Sequence, residues 1–190
     1  MAEHPMETTF RTSLWRQFGA AIAMLENALL ACPSTLWNAH LWSDHSDPPQ
    51  PSEFAAFWSL THHTLFWLDL YLTGSLEGFA PPTPFTQDEF GPARVLPEQP
   101  YAKEELHAYL VQLRQKCQTT LLSLSDEQAQ RQVAFPWRWW KPMSFFELQL
   151  YTLRHVQEHA AQLSLFLGQH VIPGVGLDWV GQAKDEAGRL

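Results

Sequence analysis

Hydrophobic and polar positions repeat with the period of an α-helix in four segments of the chain. From Thr8 to about Ala31, apolar residues recur three and four positions apart, which places them on one helix face: Leu14, Phe18, Ala21, Ile22, Leu25 and Leu29. Thr8 or Thr9 is a suitable N-cap, and the Cys-Pro-Ser sequence after Ala31 predicts the end of this helix.

Three further segments show the same period. The second helix is predicted from Ser52, as N-cap, to Gly74, and it is apolar on almost all sides, which predicts a central position. The third is predicted from about Lys103 to Leu124, and the fourth from near Ser144 to Gly168. Residues 75–100 contain six prolines and form a long connection between helices two and three. A connection of this length is typical of a crossover or of a segment that covers a site.

The fold class that these patterns predict is all-α. No strand pattern competes with the helices, so we expect a four-helix bundle with a long Pro-rich connection between helices two and three. The 190 residues form one predicted domain over 1–190, with a tail of about 169–190 outside the bundle. A chain of this size buries a sufficient core without disulfides or a structural metal.

Composition and charge narrow the functional classes. The chain has 12 basic and 20 acidic residues and a net charge of −8, with no basic cluster, so nucleic acid and anionic membrane surfaces are not expected partners. Without a signal segment or an apolar run that spans a bilayer, the sequence predicts a cytoplasmic protein.

Cys32 and Cys117 lack a CxxC partner and are predicted to be reduced core thiols. The aromatic content of 13% indicates a heavily packed interior or a large apolar pocket.

The histidines are the main candidates for chemistry. His155 and His159 are four residues apart in the fourth predicted helix, a spacing that places both imidazoles on one face and lets them bind one ion. The alternative is a core stripe without a metal. A third ligand would come from the second helix, where His62 and His63 are adjacent and only one can point at a shared site. From their helical neighbours, His63 is expected to be the more enclosed; in the alternative interpretation both lie on the helix surface.

Two carboxylates are further candidates for a role in the chemistry of the site. The sequence His-Val-Gln-Glu-His matches the H-x-x-E-H motif of zinc proteases, in which Glu158 would be the general base. The chain after His159 is too short to supply the further ligand of those proteases, so Glu158 is predicted to be an exposed or interhelical charge. Asp69 is the carboxylate nearest to the candidate ligands on the second helix, as an acid or base, as a partner of a ligand, or as a surface group.

Three segments resemble the DinB-like superfamily of metal-dependent four-helix-bundle enzymes. FWSLTHHTLFWLDLYLTG looks like its second helix with the first histidine ligand, PEQPYAKEELHAYL like the entry to its third, and MSFFELQLYTLRHVQEHAAQL like its fourth with the H-x-x-x-H pair. Carried over residue by residue, the three-histidine site of the family falls on His63, His155 and His159.

The resemblance has further implications. It implies a crossover bundle, a homodimer, and a divalent metal, often nickel or zinc, with open positions for water or substrate. Characterised relatives include thiol transferases and isomerases that use bacillithiol, mycothiol or glutathione, while many others have no assigned reaction.

The function predicted from these features is a metal-dependent enzyme. In this hypothesis the ion activates a low-molecular-weight thiol cosubstrate, or water, for attack on a small-molecule electrophile. Four residues are candidates for the ligand pocket, with residues 135–140 as a lid: Trp58, Trp67, Tyr151 and Gln162. Gln162 would hydrogen-bond a ligand or a water at the ion, and ordinary core packing is the alternative for each aromatic. The alternative functions are a non-enzymatic bundle that binds a metal or a small ligand, and a homologue without metal.

Overall fold

The computed structural model describes residues 5–43, 52–90, 96–137, 141–170 and 181–183. Within these ranges lie five α-helices and two short strands: α1 (Pro5–Ala31), α2 (Phe57–Thr73), α3 (Lys103–Leu122), α4 (Asp126–Gln130), β1 (Gln132–Val133), β2 (Met143–Ser144) and α5 (Phe145–His170). Short 3-10 turns lie at Ser34–Leu36, Ser52–Ala55 and Asp88–Phe90. The predicted all-α class is confirmed, and the four long helices α1, α2, α3 and α5 are the four that the sequence predicts.

The long helices form a bundle in which α1 and α2 each pack against both α3 and α5. Near one end of the bundle, Arg11 of α1 donates a hydrogen bond to the carbonyl oxygen of Leu124, just after α3. Near the other end, Lys103 at the start of α3 donates to the carbonyl oxygen of Cys32. The helices α1 and α3 are therefore antiparallel.

Helices α2 and α3, in contrast, run parallel. Near their starts, the Trp58 and Tyr101 rings meet edge to face at 6.0 Å, and near their ends Lys116 donates to the hydroxyl of Thr73 at 2.6 Å. Neighbouring parallel helices require a connection that returns along the bundle. That connection comprises residues 74–102, of which 74–90 and 96–102 are described. It begins at Gly74, whose φ of 68° ends α2 in the left-handed conformation that glycine adopts most easily.

The start of α2 differs from the prediction. The helix begins at Phe57 instead of directly after Ser52, because Ala56 is extended and forms an antiparallel bridge with His40. The flanking backbone groups are paired too, since Leu41 donates to Ala55 at 2.8 Å and Phe57 donates to Ala39 at 3.0 Å. These long-range hydrogen bonds compete with a helical start at Ser52. Helix α1 differs in the opposite direction, since it begins at Pro5, before the predicted start at Thr8.

The sequence of residues 125–142 predicts an irregular linker with room for one short helical turn, and the structure is more regular than this. It contains α4, whose N-cap Ser125 accepts a hydrogen bond from Gln128, and the antiparallel ribbon of β1 and β2, with Val133 opposite Met143. This ribbon leads directly into α5. It also closes a second apolar cluster between α2 and α5, around Phe66, Phe135 and Leu148.

Several polar groups are buried with the core. Asp69 of α2 accepts hydrogen bonds from Tyr109 at 2.7 Å and from Lys116 at 2.6 Å, which joins α2 to α3. Cys32 and Cys117 are free and buried, as predicted. At the C-terminal side, Gly181 and Ala183 lie against α1. None of the helices in the described ranges is long and apolar enough to cross a membrane.

Candidate metal centre

Helices α2 and α5 are antiparallel, since Gln149 near the start of α5 donates to the carbonyl oxygen of Tyr71 near the end of α2 at 3.0 Å. They bring three imidazoles together near the middle of the bundle. Nε2 of His155 lies 3.0 Å from Nε2 of His159 and 3.4 Å from Nε2 of His63. One nitrogen from each ring lies within 4.8 Å of the other two. The three histidines that the sequence analysis groups together therefore form one cluster, and this cluster could hold a metal ion.

The nitrogen spacing is compatible with a single ion. Two nitrogens bound at about 2.0–2.1 Å are about 2.9 Å apart at a right angle and about 3.4 Å apart at the tetrahedral angle. The two measured separations are 3.0 and 3.4 Å. Without any backbone rearrangement, both pairs thus have the separation of two ligands of one ion.

Two of the three rings are held by a side chain that contacts Nδ1, the ring nitrogen that points away from the cluster. Nδ1 of His63 lies 2.5 Å from the carboxylate oxygen Oε1 of Glu89, and Nδ1 of His159 lies 2.8 Å from the amide oxygen Oε1 of Gln162. Both partners are acceptors, so in each ring Nδ1 carries the proton and Nε2 keeps its lone pair. Acceptors in this position are typical partners of metal-binding histidines.

His155 lies between the other two rings and is held neutral. Burial, together with the neighbouring His159 and His63, lowers the pKa of His155 to about 2, although the Glu89 carboxylate opposes this effect. Its Nδ1 atom is buried and has no hydrogen-bond partner among the described residues. A neutral imidazole is the form that binds a metal, so His155 is available as a ligand throughout the neutral pH range.

One comparison with known proteins identifies a family for this chain. The family model described as the DinB superfamily matches residues 17–163. The chain belongs to the DinB superfamily. The matched segment contains α2, α3 and the part of α5 that carries His155 and His159. Comparison with curated proteins and with solved structures gives no match.

In this DinB superfamily protein, the two neighbouring histidines of α2 have different environments. His62 is 5% exposed, and its ring stacks on Phe85 at 5.5 Å and contacts Tyr101 at 4.7 Å. The side chain of His63 is 21% exposed. The expectation that His63 is the more enclosed is therefore wrong. His62 packs into the interface with the α2–α3 connection, whereas His63 faces the pair on α5 and remains accessible to solvent.

An aromatic wall lies beside the DinB histidines, and we define it as Trp67, Trp137 and Tyr151. The Trp67 indole N–H lies 3.2 Å from Nδ1 of His63, and its ring meets that of Trp137 at 5.2 Å. The Tyr151 ring is stacked over His155 at 6.5 Å. Trp67 and Tyr151, two of the candidates for a ligand pocket, therefore lie beside the histidine cluster.

Other predicted pocket residues have different positions. Trp58 is 3% exposed and packs against Tyr101, so the structure does not bring it to the histidine cluster. Gln162 holds His159, where a contact with a ligand or water was expected. Of the predicted lid, residues 135–137 are described and pack beside Trp67 through Trp137, while 138–140 lie outside the described residues.

The carboxylates also differ from expectation. Asp69, considered as an acid, base or partner of a ligand, is buried against Tyr109 and Lys116. Glu158 is exposed, as predicted, and lines a groove between α5 and α1. The carboxylate at the cluster is Glu89, which the sequence analysis missed. The available signal was its place in a long connection of the kind that covers sites.

Proposed function

We propose that this DinB superfamily protein is a metal-dependent enzyme with a divalent ion, nickel or zinc, at His63, His155 and His159. The proposed reaction is attack of a low-molecular-weight thiol, or of water, on a small electrophile. The observation that supports it best is the group of three Nε2 atoms that face one another, two of them in rings whose Nδ1 is already hydrogen-bonded.

The donor set favours a catalytic site over a structural one. Three imidazoles leave at least one coordination position open, whereas structural zinc sites have four protein ligands. All three histidines are partly exposed, as access of a small molecule to this position requires. Imidazole ligands suit nickel, copper and zinc. A bound ion of this kind supplies a Lewis acid that makes water or a thiol a better nucleophile near neutral pH.

The protein itself offers no reactive thiol for such a reaction. Burial raises the pKa of Cys32 to about 11 and also raises the pKa of Cys117. Both thiols are buried and remain protonated near neutral pH. The nucleophile in the proposed reaction therefore comes from outside the chain. The aromatic wall beside the histidines suits the apolar part of a small substrate.

A non-enzymatic metal- or ligand-binding bundle is the second candidate. It is favoured because the two carboxylates that the structure describes near the bundle centre are already paired with other side chains. Glu89 is paired with His63, and Asp69 is paired with Lys116 and Tyr109. Neither carboxylate is available as a general acid or base without the loss of these contacts.

The deciding experiment combines metal content with turnover. Tag-free protein is analysed for nickel and zinc, and is assayed with glutathione, bacillithiol or mycothiol and a small electrophile, alongside His159→Ala. His170→Ala is the matched control, because His170 is an exposed histidine at the end of the same helix. We expect about one ion per chain and thiol-dependent turnover, both lost in His159→Ala and retained in His170→Ala.

Each other result contradicts part of the proposal. A protein that takes up no metal, even on reconstitution, would overturn the metal site. A protein that binds the ion through these histidines but shows no turnover, with water or with any of the thiols, would exclude the proposed reaction and favour the binding bundle.

A further inference from the structure

The connection between α2 and α3 contributes a charged side chain to the histidine cluster. Glu89 places Oε1 2.5 Å from Nδ1 of His63, and its side chain is only 4% exposed. A carboxylate removed from water to this extent is costly unless a donor compensates it. The contact with His63 supplies this donor, so the position of Glu89 is tied to that of the ring.

The backbone around Glu89 forms a defined turn. Glu89 lies in the 3-10 turn Asp88–Phe90, which is closed by a hydrogen bond of 3.0 Å from Phe90 N–H to the Gln87 carbonyl. The Phe90 ring packs on Phe66 at 4.9 Å and on Trp67 at 5.9 Å, both on α2. The carboxylate is thus presented to His63 by a segment that is anchored on the same helix as its partner.

The carboxylate also determines which nitrogen of His63 carries the proton. The indole N–H of Trp67 lies 3.2 Å from the same Nδ1, and an indole can only donate. Nδ1 cannot accept from Trp67 and donate to Glu89 at once. The shorter, charge-assisted contact is the stronger one, so Nδ1 carries the proton and Nε2 presents its lone pair to the cluster.

We propose that Glu89 is a positioning residue for the metal centre, and that through it ion binding is coupled to the order of the connection around residues 79–90. The inference rests on the proposed function for the presence of the ion. Binding energies are reciprocal. If the Glu89 carboxylate strengthens ion binding at His63, the bound ion must equally strengthen the contact between His63 and Glu89, and with it the order of the connection.

The first test measures ion affinity in Glu89→Gln by competition with a chromophoric chelator for zinc and for nickel. Gln keeps the size of the side chain, but it lacks the charge, and its amide N–H can reverse the direction of the hydrogen bond. We expect affinity to fall about 10- to 100-fold, the usual effect of removing such a partner. The matched control is Asp88→Asn, since Asp88 is an exposed neighbour whose carboxylate contacts Thr86; its affinity should equal that of the wild type.

The second test is hydrogen exchange of peptides from residues 79–90 with and without zinc. In the wild type and in Asp88→Asn, zinc should slow exchange in these peptides, and in Glu89→Gln this effect should be lost. The wild-type measurement does not depend on how well the variant folds.

The outcomes separate this inference from the proposed function. If the wild type binds zinc but Glu89→Gln binds it equally tightly, or if zinc leaves exchange in the wild-type connection unchanged, the role of Glu89 is overturned and the metal site stands. If the wild type binds neither ion, the proposed function fails and the role of Glu89 fails with it.

Discussion

Gln162 accepts a hydrogen bond of 2.8 Å from Nδ1 of His159, three residues earlier on α5. The contact keeps the Nε2 lone pair of His159 directed at His155 and His63. It also changes the interpretation of Gln162, because its amide oxygen is engaged with a ligand ring and is not directed at a substrate. Glu89 contacts His63 in the same way, so two of the three candidate ligands are oriented by other side chains.

Gln162→Leu should weaken metal binding about tenfold, since Nδ1–H of His159 loses its acceptor and the ring loses its fixed orientation. The measurement is a chelator competition with zinc. Gln157→Leu serves as the control, because Gln157 is an exposed glutamine on α5 that contacts Met24 of α1. Equal affinities in the two variants would contradict an orienting role for Gln162.

Removal of the metal should lower stability without unfolding the bundle. The long helices bury an extensive apolar core around residues such as Phe18, Leu68 and Leu110, so helical structure does not depend on the ion. Protein treated with a chelator should keep its far-ultraviolet circular dichroism but melt at a lower temperature. An ion at 100 times its Kd adds about 2.7 kcal/mol, and a domain of this size shifts by about 2–4 °C per kcal/mol.

His155→Ala is the control for this melting experiment. Its Tm should not respond to added zinc, because one of the three candidate ligands is missing. A wild-type protein that loses its helical signal on chelation would show that the metal is structural, and equal Tm values with and without zinc would argue against a bound ion.

The long helices and the His155–His159 pair were predictable because both depend on local periodicity. A helix that repeats its apolar positions has a defined buried face, and two residues four apart share a face wherever the helix packs. The choice between His62 and His63 is different, because it depends on which neighbour each face meets. The resemblance to the DinB-like family identified His63, while the argument from enclosure failed, since the enclosed histidine is His62.

The site residues that were missed or misassigned depend on contacts between distant parts of the chain. Glu89 reaches the cluster only because the connection returns along α2. Its place in a long connection indicates that it could cover a site, but does not indicate which residue it contacts. From its helical spacing Asp69 is a candidate site carboxylate, but in the structure it accepts hydrogen bonds from Lys116 and Tyr109 of α3 instead. Trp58 is similar, because its partner Tyr101 lies just before α3.

Asp69→Ala should lower the free energy of unfolding by about 2 kcal/mol. The buried hydroxyl of Tyr109 loses its acceptor, and the ammonium group of Lys116 keeps only the Asp69 carbonyl and the Thr73 hydroxyl. Lys116 is partly exposed and regains water, which limits the loss. Zinc affinity should be unchanged, since Asp69 does not contact the histidine cluster.

Urea unfolding and chelator competition check both parts of this prediction. Glu158→Ala, at an exposed helical carboxylate, should change stability by less than about 0.5 kcal/mol. A variant of Asp69 with normal stability but weakened zinc binding would return Asp69 to the metal site.

Cys32 and Cys117 should be unreactive toward a thiol reagent in the native protein and should both react after unfolding. Burial raises the pKa of Cys32 to about 11, an effect that Lys103 partly opposes, so at pH 8 only about one molecule in 1000 carries its thiolate. Because the pKa is raised, the labelling rate of Cys32 should keep increasing as the pH rises from 8 towards 11, instead of levelling off near the usual value of about 8.5.

Ser13→Cys, at an exposed position of α1, is the positive control and should add one fast-reacting thiol. Rapid labelling of the wild type at pH 8 would contradict this and would make a thiol of the chain itself a candidate nucleophile.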